Sequence, residues 1–302
     1  MSFKVVGIGE VLWDLLPSGP QLGGAPANFA FHANQLGADA RVITRVGNDA
    51  PGRAILQRLE EMKIQDGVVQ KDDLLPTGTA TVVLDGNGVP QFIISSNVAW
   101  DNLGQTAEAL EIARQADAVC FGSLAQRSDA AALTIQQLIA ATSRTCLRVF
   151  DVNLRQGFFT RKVVEQSLEI ANLVKMNEPE LEALSTMFEL SGNTIQKIEQ
   201  LSRQFDLRLV ALTRGENGSL LCQSGRCTNM PGGQVNVVDT VGAGDAFTAA
   251  LVMGLLNRFD LEEVHQIAAE VAGFVCSHSG ATPVLPAHLR TTFDSPAQVC
   301  KR

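Results

Sequence analysis

The feature that most constrains this chain is an alternation. Short apolar runs recur at FKVVGIG (3–9), RVITRVG (41–47), DAVCFGS (117–123), RVFDVN (148–153), LVKMN (173–177) and LRLVALTRG (207–215). Between them lie stretches with helical periodicity. APANFAFHANQLGA (25–38) reads as a helix ending near Gly37, and APGRAILQRLEEMK (50–63) places Ile55, Leu59 and Met62 on one face. Strands that are apolar along their whole length need cover on both faces, and helices between them supply it. The expected fold class is therefore α/β: a central, mostly parallel sheet flanked by helices on both faces. A chain of 302 residues, 45% of them hydrophobic, has ample length for a large core, which allows one large α/β domain or two smaller ones; a single domain over 1–302 is the expectation.

Two stretches depart from that rhythm. TGTATVVLDGNGVPQFIISSN (77–97) has apolar runs on either side of DGNG, where Gly and Asn tolerate positive φ, which is a hairpin signal. EVLWDLLP (10–17) is strand-like and closed by Pro17. Together they suggest a small antiparallel sheet standing off the main one as a lid formed by about 10–20 and 76–102. An edge extension of the main sheet is the alternative. The tail from about Ser295 reads as loosely held.

Charge and cysteine usage exclude several classes. The net charge is −8, without Lys/Arg blocks, so no nucleic-acid partner is expected. No stretch approaches the roughly 20 apolar residues of a membrane span. The first residues, MSFKVVGIGEVLWDLL, are interrupted by Glu10 and Asp14 and do not read as a signal peptide, so the expected location is cytoplasmic. The six cysteines (120, 146, 222, 227, 276 and 300) form no CxxC and lie near no His at ligand spacing, so free thiols in a reducing compartment are expected. GIGEVL (7–12) begins like a dinucleotide fingerprint, but Leu12 replaces the last small residue. GNDAPGRA (47–54) has P-loop glycine spacing, but Arg53-Ala54 replaces Lys-Ser/Thr.

The chemistry concentrates in VVDTVGAGDAF (237–247). A strand-like run stops at Asp239, and Gly242, Ala243 and Gly244 precede Asp245 and a helical run. The start of a helix has free N–H groups and partial positive charge, and small residues let an anion approach them. An acid beside an anion site costs Coulomb energy. Accepting a proton from an attacking hydroxyl would give it a purpose; stabilising the helix start is the structural alternative. A second cluster, LGGAPANFAFHANQLGA (22–38), offers a permissive turn at Gly23-Gly24 and a polar Asn28 among Ala and Phe. Asn28 reads either as a satisfied core amide or, with Asp14 and Gly24, as part of a site for a polyhydroxyl ligand.

GGAPANFA near the start and DTVGAGDAF near the end resemble, in order and separation, the paired signatures of the ribokinase-like (PfkB) carbohydrate kinases, with a lean to fructokinases. The resemblance covers essentially the whole chain. It implies ATP-dependent phosphorylation of a primary hydroxyl of a small sugar, fructose first, with ATP and Mg²⁺ as cofactors; separately, the open face of the lid sheet could pair with a partner lid, which gives a homodimer through the lid as an expectation. The resemblance implies Asp245 as base, Gly242, Ala243 and Gly244 as anion hole, and Arg155, in DVNLR, near the sugar or its phosphate; a surface charge is the alternative for Arg155. Asp14, Gly23, Gly24, Asn28 and Asn153 would contact the sugar. Lys175, Asn177 and Glu180 (the last two in NEPE, also readable as an ordinary helix start) and Thr213, Arg214, Gly215 and Gly218 would line the nucleotide. Asn177 and Glu180 would hold Mg²⁺, mainly through water. SHSGATPVLP, with Asp239 and Val241, resembles the segment that binds a monovalent cation through backbone oxygens. Val275, His278 and Gly280 would contribute, which adds K⁺ as a candidate. The chain departs from common relatives at Ala269, where an adenine-proximal amide is usual, at DVN for DPN, and in SSNVAWDNL (95–103). There Trp100 reads either as a substrate cover or as lid packing. Ribokinase, 2-keto-3-deoxygluconate kinase and nucleoside kinase stay open, as does a catalytically silent sensor.

Overall fold

The computed structural model describes residues 2–17, 19–64, 68–84, 90–233 and 235–293. In chain order the elements are β1 (Lys4–Ile8), β2 (Leu12–Leu16), β3 (Gly19–Gly23), α1 (Ala25–Gln35), β4 (Asp39–Gly47), α2 (Ala50–Glu61), β5 (Val69–Asp72), β6 (Gly78–Leu84) and β7 (Pro90–Ile94). Then follow α3 (Ala107–Gln115), β8 (Ala118–Gly122), α4 (Asp129–Ala141), β9 (Leu147–Asp151), α5 (Arg161–Ile170), β10 (Leu173–Asn177), α6 (Glu178–Phe188), α7 (Thr194–Gln204) and β11 (Leu209–Thr213). The chain closes with the hairpin β12 (Ser219–Gln223) and β13 (Arg226–Met230), then α8 (Ala243–Leu256), α9 (Leu261–Cys276) and the short α10 (Ala287–Arg290).

The large sheet runs β13-β12-β11-β10-β9-β8-β1-β4-β5. It is parallel from β11 to β5, and β12 and β13 add antiparallel at one edge. Strand alternation divides its side chains between two cores. Val6, Val119, Phe150, Val174 and Leu212 pack with α3 to α7. Val5, Cys120, Val149, Leu173 and Ala211 pack with α1, α2, α8 and α9. Both faces are covered, as expected of strands apolar along their length.

α8 is apolar all round, and every residue from Ala246 to Gly254 is buried. It lies between α1 and α9. That central place brings the two sequence signatures together.

The small sheet has the order β3-β2-β6-β7. Its two antiparallel hairpins join side by side through a parallel β2–β6 pairing. The strand β3, from Gly19 to Gly23, was not anticipated, because Gly, Pro and Gln carry little strand signal. The turn DGNG and the tail from Ser295 lie outside the described residues. Register puts Asp14, Ala80 and Ile94 on one face, where Ala80 and Ile94 are buried. Leu15, Thr81 and Ile93 share the other face, where Leu15 is 39% and Ile93 54% exposed.

Three expectations need correction. The run VVD (237–239) forms no strand; Val237 and Val238 are both 59% exposed, because the segment passes outside the sheet. Cys222 and Cys227 are not free: they face each other across β12 and β13 and form a disulfide. Cys120, Cys146 and Cys276 remain thiols. Trp100 is fully buried and packs the lid's base, with its indole nitrogen against Gly78, so it does not face a substrate. Among the described residues no helix is long and apolar enough to cross a membrane.

Candidate active site

The site lies at the carboxyl ends of the parallel strands, where open α/β sheets bind ligands. Its floor is the first turn of α8. Gly242 precedes the helix with φ +77°, and a side chain there would collide with Ala281, so only glycine permits this entry. Asp245 stands in the first turn, partly exposed. Asn28 on α1, 217 residues away in sequence, donates from Nδ2 to Asp245 Oδ2 at 2.8 Å. The core-amide reading of Asn28 is thus incomplete: its amide nitrogen serves Asp245, while its buried Oδ1 has no partner.

Lys175 reaches the same turn from the middle of β10. A Cβ added to Gly244 would lie 2.8 Å from Lys175 Nζ, so the ammonium rests against the bare backbone. Asp151, the last residue of β9, holds it: Lys175 Nζ donates to Asp151 Oδ1 at 3.0 Å, and Thr248 Oγ1 donates to Oδ2 at 3.3 Å. Sequence reasoning missed Asp151 and Thr248. The available signal was an acid ending an otherwise apolar strand.

These carboxyls titrate abnormally. Burial pushes Asp245 up to about 7, helped by the Asp151 charge and opposed by Lys175, Asn28 and Arg155. Burial likewise pushes Glu10 up to about 7; hydrogen bonds from its own amide and that of Ala25 oppose the shift, and Asp245 adds to it. Glu10 is 1% exposed with Oε2 unpartnered, and it too went unread in the sequence. Asp14 is raised by burial to about 6, with Arg155 opposing. Burial would lower Lys175, but Asp151, Glu180 and Asp245 outweigh it and push the ammonium up.

On the acceptor side, β2 and β3 present Asp14 beside Gly23. A side chain at Gly23 would collide with Asp14 Oδ2. Gly24 has φ +110°, and a side chain there would collide with the Glu10 carbonyl. Asn153 follows β9 with φ +40°, a conformation Asn tolerates better than most residues. Arg155 is exposed on the turn beyond, and its charge acts on Glu10, Asp14, Glu180 and Asp245. Asp14, Gly23, Gly24, Asn28, Arg155, Lys175 and the 242–245 turn thus fall in one region.

Among the residues expected to line a nucleotide, Asn177 and Thr213 are partners across β10 and β11. Gly215 and Gly218 both have positive φ in the loop after β11. Arg214 turns to the β12–β13 hairpin, donating to Asn229 Oδ1 at 2.7 Å and to the Ser219 carbonyl at 3.3 Å. Asn177 and Glu180 form a capping box at the start of α6: Glu180 N donates to Asn177 Oδ1 at 2.9 Å, and Asn177 N donates to Glu180 Oε2 at 2.8 Å. Leu154 N donates to Glu180 Oε1 at 3.1 Å. The helix-start reading of NEPE therefore describes the local structure. The donor set fits Mg²⁺ held through water, since each oxygen already accepts a backbone N–H but keeps a lone pair. No cluster of three or more His, Cys, Asp or Glu suited to direct ligation occurs among the described residues.

The K⁺ segment is also brought together. Asp239 accepts from Val241 N and from Gly280 N, each at 3.0 Å, which ties the 239–241 loop to the 275–280 turn. The Val275 carbonyl accepts from His278 N at 3.0 Å, and the His278 ring lies 4.1 Å from that of Phe274.

Comparison with known proteins identifies relatives of this chain. The model of the pfkB family of carbohydrate kinases matches residues 20–288. A fructokinase of Klebsiella pneumoniae is 31% identical over 284 residues, covering 90% of this chain and 91% of that protein. The structure of an uncharacterized sugar kinase from Pyrococcus horikoshii in complex with ATP superposes with a TM-score of 0.79 at 30% identity, over 92% of this chain and 94% of that one. A 2-dehydro-3-deoxygluconokinase of Thermotoga maritima shares the fold, with a TM-score of 0.83 at 20% identity, over 97% of this chain and all of that one. Two signatures at opposite ends of the sequence meet in one cleft at the carboxyl edge of a ribokinase-like sheet, and on that evidence the chain belongs to the pfkB family of carbohydrate kinases.

Proposed function

We propose that this protein transfers the γ-phosphoryl group of ATP to a primary hydroxyl of a small sugar, fructose foremost. The observation that carries the reading is the Asn28–Asp245–Lys175 arrangement around the open first turn of α8. The sugar lies between Asp14, Gly23, Gly24, Asn28, Asn153 and Arg155, with its hydroxyl toward Asp245. The 242–244 amides and the Lys175 ammonium receive the phosphoryl oxygens, where preorganised charge lowers the barrier most. Asp245 accepts the hydroxyl proton. In a loose transition state the proton leaves late, so a weak base in the right place suffices. Asn28 orients that carboxylate, and Asp151 keeps Lys175 over the turn.

ATP lies along Thr213, Arg214, Gly215 and Gly218. Mg²⁺, when bound, neutralises charge on the phosphates, with Asn177 and Glu180 holding its water shell. K⁺ on the backbone oxygens of 239–241 and 275–280 belongs to the same reading. So do the lid at 10–20 and 76–102 closing to exclude water, a homodimer through the lid, and a cytoplasmic location.

A coupled ADP-release screen over fructose, ribose, 2-keto-3-deoxygluconate and nucleosides, with and without K⁺, tests the proposal. Fructose is expected to turn over best. Turnover of another sugar with none for fructose would overturn the fructokinase assignment alone. Sugar binding without turnover of any substrate would favour the silent sensor.

A further inference from the structure

Among the described residues outside the proposed catalytic cluster, Arg127–Asp101 is a well-enclosed ion pair, with side chains 7% and 13% exposed. Arg127 ends a 3-10 turn (Leu124–Arg127) just after β8, and Asp101 belongs to the turn Ala99–Asn102 that follows β7. The pair is bidentate, with Nε to Oδ1 at 2.7 Å and Nη2 to Oδ2 at 2.8 Å. Nη2 also donates to the Ser95 carbonyl at 2.6 Å, one residue past the end of β7. The guanidinium lies 3.9 Å from the Trp100 ring centroid and 4.6 Å from that of Phe158. Phe158 N in turn donates to the Arg155 carbonyl at 3.1 Å, closing the turn that carries Arg155.

One side chain therefore touches three parts of the proposed site: the segment just past β7, the turn Ala99–Asn102, and the loop that carries Arg155. Stability is a weak reason to keep such a pair, since apolar side chains of similar volume serve a core as well or better. Specific geometry is the better reason. The planar fork holds Asp101 and the Ser95 carbonyl at once, and the rings of Trp100 and Phe158 both lie against the guanidinium.

We propose that Arg127 is a positioning residue that couples the lid to the Arg155 loop, so that sugar-induced closure sets both together. This rests on the sugar-kinase reading of the cleft. Arg127 touches neither reacting atoms nor the nucleotide loop, so its effect belongs to sugar capture.

The test compares wild type with Arg127→Lys, which keeps the charge but loses the fork, and with Phe158→Leu, which removes one stacked ring and leaves the ion pair. Arg127→Lys is expected to raise the sugar KM at least about tenfold while changing the ATP KM by less than about twofold. Phe158→Leu is expected to shift the sugar KM the same way by less. In an Arg155→Ala background, Arg127→Lys should add little further to the sugar KM. An unchanged sugar KM, equal rises in both KM values, or additive effects with Arg155→Ala would each overturn the proposal. Should wild type phosphorylate no sugar, the kinase reading falls and hydrogen exchange decides the coupling: Arg127→Lys must lower protection at both 93–98 and 155–159. Loss at one segment only, or at neither, overturns it.

Discussion

Asp245 sits among opposing charges, and its neighbours explain both its proposed role and its cost. Asn28 and Lys175 favour its ionised form, while burial and Asp151 resist it. Asp245→Asn keeps the volume and a hydrogen-bonding group but cannot accept a proton. We expect kcat to fall about 10²–10⁴-fold with little change in sugar or ATP binding, read by steady-state kinetics and calorimetry. Near-wild-type turnover would remove Asp245 as base. The same residue predicts a pH dependence of stability. Folded values near 7 for Asp245 and Glu10 and near 6 for Asp14 exceed the unfolded carboxyl range of about 4. The native protein then binds protons that the unfolded chain has released, so stability falls as pH rises from about 4 to 7. Each pKa unit is worth about 1.4 kcal/mol, discounted here because Asp245 is partly exposed to water. Asp245→Asn should flatten the decline and stabilise the ligand-free protein by about 1–2 kcal/mol at pH 8. Urea unfolding at pH 5 and pH 8 measures this, and parallel curves for the two proteins would refute the assignment.

At the scale of elements, the proposed function rests on the entrance to α8. Its bare first turn needs Gly242 in the left-handed region, beside Ala281. Gly242→Ala adds strain of about 1–2 kcal/mol from the positive φ, together with a clash against backbone. We expect a fall in Tm of several degrees and a larger proportional loss of kcat than of ATP affinity. Unchanged turnover would mean that the turn does not hold the transferring group. The helix start was legible because small residues before an acid have few other uses. The Gly215–Gly218 loop was legible through its glycines. β3 was not, since its strand character comes from pairing with β2 and not from Gly, Pro or Gln. VVD misled for the converse reason: β-branched residues invite a strand, but no strand of the sheet takes them as a partner.

At the scale of the molecule, the lid sheet keeps its inner face for Asp14 and turns Leu15 and Ile93 outward. An open sheet with exposed apolar residues invites a second copy. Ile93→Lys is expected to convert a dimer to monomer at micromolar concentration, read by sedimentation velocity. A monomeric wild type would end the dimer proposal. Two cores pack on either side of the large sheet, and the Arg127–Asp101 pair ties the turn after β8 to the turn Ala99–Asn102.

The sequence by itself determined the sheet's class, its helical cover and the two signatures, because burial on both faces and a bare helix start are local demands written in residue type and period. Asp14, Asn28, Lys175 and Asp245 could be named from it. Tertiary structure alone decided that Asn28 reaches Asp245, that Asp151 holds Lys175, that Glu10 is sealed beside them, and that Cys222 meets Cys227. Each of these depends on how α1 packs on α8, or on the register between strands. Such contacts between residues far apart in sequence, or facing across a hairpin, leave no period along the chain to read.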